Sequence, residues 1–77
     1  MVDLLDYLAR RLVDDPAAVS VDTIERDDAL VVLLRVAPDD VGKVIGRQGR
    51  IVRALRALVR ASAVREGRRV LVEIADP

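Results

Sequence analysis

Leu4, Leu5, Leu8 and Leu12 recur at the three-to-four-residue spacing of a helix with one buried side. Asp3 stands ahead of them as a candidate cap. Asp14-Asp15-Pro16 ends the segment, because a residue before proline is pushed out of the helical region. Residues 19–25 then alternate, with Val19, Val21 and Thr23 on one face, and predict a strand. Arg26-Asp27-Asp28 predicts a turn, although it lacks the glycine of the tightest hairpins. Residues 30–36 are almost continuously apolar, as in a strand placed centrally or buried on both sides.

Pro38-Asp39-Asp40 predicts the start of a short helix, since proline is tolerated in a first turn and carboxylates suit the positive end of the dipole. Gly46 breaks that helix after Ile45. A second helix is predicted from about Gly49 to Gly67, with Ile51, Leu55, Leu58 and Val59 facing the sheet. Residues 69–74 predict a last strand. The order αββααβ, with no linker, repeat or low-complexity tract, predicts one α+β domain over residues 1–77: a three-stranded sheet with helices packed on one face.

Composition narrows the chemistry. Hydrophobic residues make up 52% of the chain, yet Tyr7 is the single aromatic, so the core must be aliphatic. Without Cys or His there are no disulfides and no zinc sites of the usual ligands, and no metal or cofactor is expected. The hydroxyl candidates for catalysis are Ser20, Thr23, Ser62 and Tyr7, each explained locally, so an enzyme is not expected. The paired acids Asp14-Asp15, Asp27-Asp28 and Asp39-Asp40 read as caps and solvated surface rather than metal ligands. The longest apolar run, residues 29–34, is too short for a bilayer, so membrane insertion is not expected. The N-terminus carries Asp3 and Asp6 where a signal peptide would be basic, and the expected location is the cytoplasm.

Net charge is zero but segregated. Residues 1–40 hold ten acids and four bases, whereas residues 41–65 hold seven bases and no acid. Such segregation suits a polyanion on one face; it also suits a solvated helix paired to the acidic half. The stretch Gly42-Lys43-Val44-Ile45-Gly46-Arg47-Gln48-Gly49-Arg50-Ile51-Val52 favours the first reading. Gly46 and Gly49 remove side chains where two helices meet, and Gly49 opens a helix whose first N–H groups and dipole can receive a phosphate. Arg47 and Gln48 stand at the tip, flanked by Lys43 and Arg50. Along the following helix Arg50, Arg53, Arg56 and Arg60 fall within an arc of roughly 120°. The strings required for a nucleotide-binding P-loop or a dinucleotide fingerprint are absent, and Lys43 and Arg47 exclude a membrane Gly-x-x-x-Gly pair.

Val44-Ile45-Gly-x-x-Gly-x-x-Val52, with a helix on each side, resembles the KH-domain signature, and the leading helix and strand look like its type II arrangement. The whole chain resembles the KhpA-type small RNA-binding proteins, most specifically over residues 38–49. The resemblance implies a grip on about four nucleotides of single-stranded RNA by the loop. The RNA-binding set it implies is Lys43, Ile45, Gly46, Arg47, Gln48, Gly49, Arg50, Val52 and Arg53, with Ile45 and Val52 as apolar contacts. It also implies a homodimer, or a heterodimer with a KhpB/Jag-type KH protein, and a role as RNA chaperone or post-transcriptional regulator in cell elongation and cell-wall homeostasis. The absence of Phe, Trp and His removes the usual stacking platforms, so binding by one domain should be weak. A KH-fold protein-interaction module acting mainly through dimerisation with another KH protein is the competing expectation.

Overall fold

The computed structural model describes residues 2–75. Helix α1 spans Val2–Leu12 and is followed by a single 3-10 turn at Pro16–Ala18. Strands β1 (Ser20–Arg26) and β2 (Ala29–Arg35) form a hairpin, and a second 3-10 turn at Pro38–Asp40 runs into the short helix α2 (Val41–Ile45). A third turn, Arg47–Gly49, joins it to α3 (Arg50–Arg65), and β3 (Arg69–Ile74) completes the chain's αββααβ order.

The sheet order is β1-β2-β3, with β1 antiparallel and β3 parallel to the central β2. Leu30, Val32 and Leu34 of β2 and Val70 and Val72 of β3 supply the sheet's side of the core. Leu5 and Ala9 of α1, Val44 of α2 and Leu55, Val59 and Ala63 of α3 pack onto them, so all three helices cover one face. On the other face Val31 is only 1% exposed, between its cross-strand neighbours Ile24 and Leu71.

Three sequence expectations need correction. Asp3 lies inside the first turn of α1, where its charge faces the dipole, rather than ahead of the helix. Val19 is buried but precedes β1, and Thr23 is exposed, because β1 is an edge strand that α1 covers only in part. Leu58 is 48% exposed; it stands one residue, about 100°, back from the buried Val59 and so turns away from the sheet.

The turns follow from local chemistry. The β1–β2 hairpin manages without glycine because Asp27 adopts φ 53, a left-handed conformation that Asp tolerates. At the end of α3 the N–H groups of Gly67 and Arg68 donate to Val64 and Ala63 carbonyls, at 3.1 Å each. Gly67 takes φ 70, which completes a Schellman cap.

Candidate nucleic-acid interface

Helices α2 and α3 meet at a junction that only glycine can make at its first position. Gly46 adopts φ 77, ψ 171, a region essentially closed to other residues. A Cβ there would lie 2.9 Å from the backbone nitrogen of Ile51 and 2.6 Å from its Cγ1. Gln48 (φ 58) and Gly49 (φ 73) are also left-handed, so the chain reverses sharply within four residues. The N–H of Gly49 donates to Gly46 O at 3.1 Å and that of Arg50 donates to Arg47 O. Two of the amides read from sequence as phosphate donors are therefore already engaged. What the junction offers an anion is the side chains at its tip and the dipole of α3.

Arg47, Gln48 and Arg50 project into solvent, with no side-chain hydrogen bond or ion pair found for them among the described residues. Arg53 folds back on the junction, its Nε donating to Gly49 O at 3.3 Å and its Nη2 to Gln48 O at 2.7 Å. It braces the loop while adding positive charge beside it. Ile45 is half-buried next to Gly46. Val52 is 8% exposed and packs beneath Gly49, so it supports the loop from below and offers little open surface.

Lys43 stands apart from this group. Its ammonium is paired with the carboxylates of Asp14 and Asp40, the latter at 3.3 Å. Asp40 itself is only 2% exposed. Its oxygens accept from the backbone N–H of Asp14 (3.3 Å) and of Asp15 (3.0 Å). Burial pushes the Asp40 carboxyl upward, but those two amides and Lys43 outweigh it and hold the group below its ordinary range. Lys43 is in turn held above its ordinary value by Asp14, against some desolvation, with help from Asp40. The paired acids were read from sequence as caps and solvated surface; Asp40 instead ties the α1–β1 connection to the start of α2. The Asp40–Lys43 spacing of three residues was a visible signal for one bond. Nothing local marked Asp14, more than twenty residues away in the chain, as a third member.

Arg56 is the other residue that sequence misplaced. It is half-buried rather than part of a fully exposed stripe, and its Nε donates to Val72 O of β3 at 3.2 Å. Arg53, Arg56 and Arg60 therefore run along the flank of α3 that faces β3. Leu58 lies about 160° around the helix from Arg56.

A family model for the KhpA/KhpB KH domain matches residues 2–74. The chain is 50% identical over 74 residues to the RNA-binding protein KhpA of Caldanaerobacter subterraneus subsp. tengcongensis, covering 96% of this chain and 99% of that one. It is 49% identical to the RNA-binding protein KhpA of Treponema pallidum, over 96% and 92% of the two chains. Among solved structures, it superposes on Aquifex aeolicus Era Y63A bound to GDP and AlF4− with a TM-score of 0.66. That match has 20% identity and covers 95% of this chain and 28% of the other, a likeness of fold alone.

Proposed function

The chain belongs to the KhpA/KhpB KH-domain family, and from that premise we propose that it binds single-stranded RNA at the α2–α3 junction. The observation that carries this reading is the junction itself. Three left-handed residues, braced by Arg53, hold Arg47, Gln48 and Arg50 out at the N-terminus of a sixteen-residue helix. Arg47 and Arg50 meet phosphates and Gln48 reaches sugar or phosphate oxygens, while Gly46 and Gly49 give the turn the positive-φ shape that presents them. Lys43 joins them only by leaving its two carboxylates. The curated relatives named as RNA-binding proteins support the substrate class. A role as RNA chaperone or regulator in the cytoplasm, serving cell elongation and cell-wall homeostasis, belongs to this proposal on family membership alone.

Replacing Arg47 and Gln48 together by Asp tests the junction. The tip is exposed, so the fold should survive. A carboxylate within about 4 Å of a phosphate is repelled by roughly 1 kcal/mol even at water's dielectric. With two free arginines, wild-type affinity should fall about sevenfold from 50 to about 200 mM salt. The variant should bind far more weakly, with a shallower salt slope. A folded variant that binds as well as wild type, with the same slope, would remove the junction as the grip.

Exposed Leu58, at 48%, favours a second reading in which its face of α3 receives another copy of the chain. The two readings are compatible, because that face points away from the arginine flank. A second copy would raise a weak RNA affinity through avidity. Leu58→Asp should then turn a dimer into a monomer in sedimentation. A wild-type chain that is monomeric at every accessible concentration would end this reading; a chain that pairs only with another KH protein would redirect it.

A further inference from the structure

We infer that Arg56 sets the base preference of the RNA-binding face, making it select guanine over adenine; this rests on the RNA-binding reading above. Among the described residues β3 closes one side of the sheet, so one edge of it has no strand partner. Ala75 N donates to Leu34 O, which fixes the alternation. Residues 71, 73 and 75 turn their backbone groups toward β2, while Val70, Val72 and Ile74 turn theirs to the free edge. An unpaired edge of this kind offers donors and acceptors in alternation.

Arg56 changes that alternation at its centre. Its Nε donates to the Val72 carbonyl at 3.2 Å, taking one of its two lone pairs and placing the guanidinium in front of that acceptor. What the edge then presents is the Val72 N–H and the two terminal amino groups of a planar guanidinium, all of them donors. A base edge with two adjacent acceptors fits this strip, and guanine presents such a pair in O6 and N7, the usual bidentate partners of arginine. Adenine presents an acceptor beside a donor and would set its amino group against the guanidinium. With Arg56 withdrawn, the Val72 N–H and C=O would together complement adenine instead.

The position is within reach of a strand gripped at the loop. Arg56 lies about 10 Å along α3 from Gly49, within the roughly four nucleotides that such a site spans. The chain turns back after α3, so the C-terminal end of β3 lies toward the loop and Val72 one step beyond it. The planar guanidinium also gives this aliphatic protein a surface on which a base can stack.

The test is fluorescence anisotropy with three labelled heptauridylates whose central residue is replaced by guanosine, adenosine or 7-deazaguanosine. Wild type should bind the guanosine oligomer about tenfold more tightly than the adenosine one. It should lose most of that margin with 7-deazaguanosine, which lacks the N7 acceptor. Arg56→Met, which keeps the apolar stem, should bring the guanosine-to-adenosine ratio to one or reverse it. Arg56→Lys should keep the salt slope and still lose the guanosine preference. A role confined to packing would lower all affinities together and leave the ratio intact. Equal binding of all three oligomers by wild type would overturn the inference, as would an unchanged ratio in a folded Met variant. Failure of wild type to bind any of the three would overturn the RNA-binding reading and this inference with it.

Discussion

Helix α3 is entered through one glycine-rich junction and left through another, and the two use glycine for different reasons. At the exit, Gly67 supplies a left-handed cap, and a Cβ there would meet nothing within 4 Å. At the entrance, a Cβ on Gly46 would strike the backbone of Ile51. The exit needs a conformation; the entrance needs a conformation and an empty space. The entrance is also braced by Arg53 and backed by the Asp14–Asp40–Lys43 cluster, whereas the exit rests on its cap bonds and on the exposed Arg68–Glu25 pair at 2.8 Å. The entrance is thus held by more contacts than the exit, as the proposed RNA-binding role of that turn requires.

The sharpest way to break this comparison is Gly46→Ala. Closed backbone geometry and overpacking against Ile51 should together cost about 2–5 kcal/mol, measured by urea unfolding, and should abolish RNA binding. A loss no larger than that of an exit variant would erase the distinction.

A smaller effect tests the support behind the entrance. Asp40 is held below its ordinary value of 3.8, so its contribution is complete above that pH and is lost as pH falls through the folded-state value. Lys43, raised above 10.5, contributes below that pH and is lost as pH rises through its own folded-state value. Wild type should therefore lose stability between pH 5 and about 3 more steeply than Asp40→Asn, which should start lower and run flatter. Parallel curves for the two proteins would show that the carboxylate carries no charge-dependent load.

The smallest effect belongs to the exit. Gly67→Ala should cost about 1 kcal/mol through its left-handed backbone, with RNA affinity unchanged. A large drop in affinity from this substitution would mean that the far turn also touches RNA.

Much of this was legible in the sequence, and what was not has a common cause. The glycines, the aliphatic stripe of Leu55 and Val59, and the apolar β2 carry local signals, and the structure places them as periodicity and turn chemistry predict. Leu58 was misassigned because an arc of helix fixes which side is apolar, not how far the neighbouring layer extends. Lys43, Asp40 and Arg56 were misread for another reason. Apart from the Asp40–Lys43 pair itself, each takes its partner from an element distant in sequence, and such partners leave no trace in spacing. The core was thus easier to foresee than the charges around the site.

The parallel pairing of β2 with β3 has a kinetic consequence. The β1–β2 hairpin closes over two residues, but β3 can join β2 only after residues 36–68, including both helices and the entrance junction, have been laid across the sheet. Such non-local pairing is the slow part of assembly, since loop-closure entropy is lost before the contacts form. The turn proposed to grip RNA is thus also part of the crossover on which folding waits. The same Gly46→Ala chain should show this in a chevron, by slowing the folding limb and not merely steepening escape from the native state.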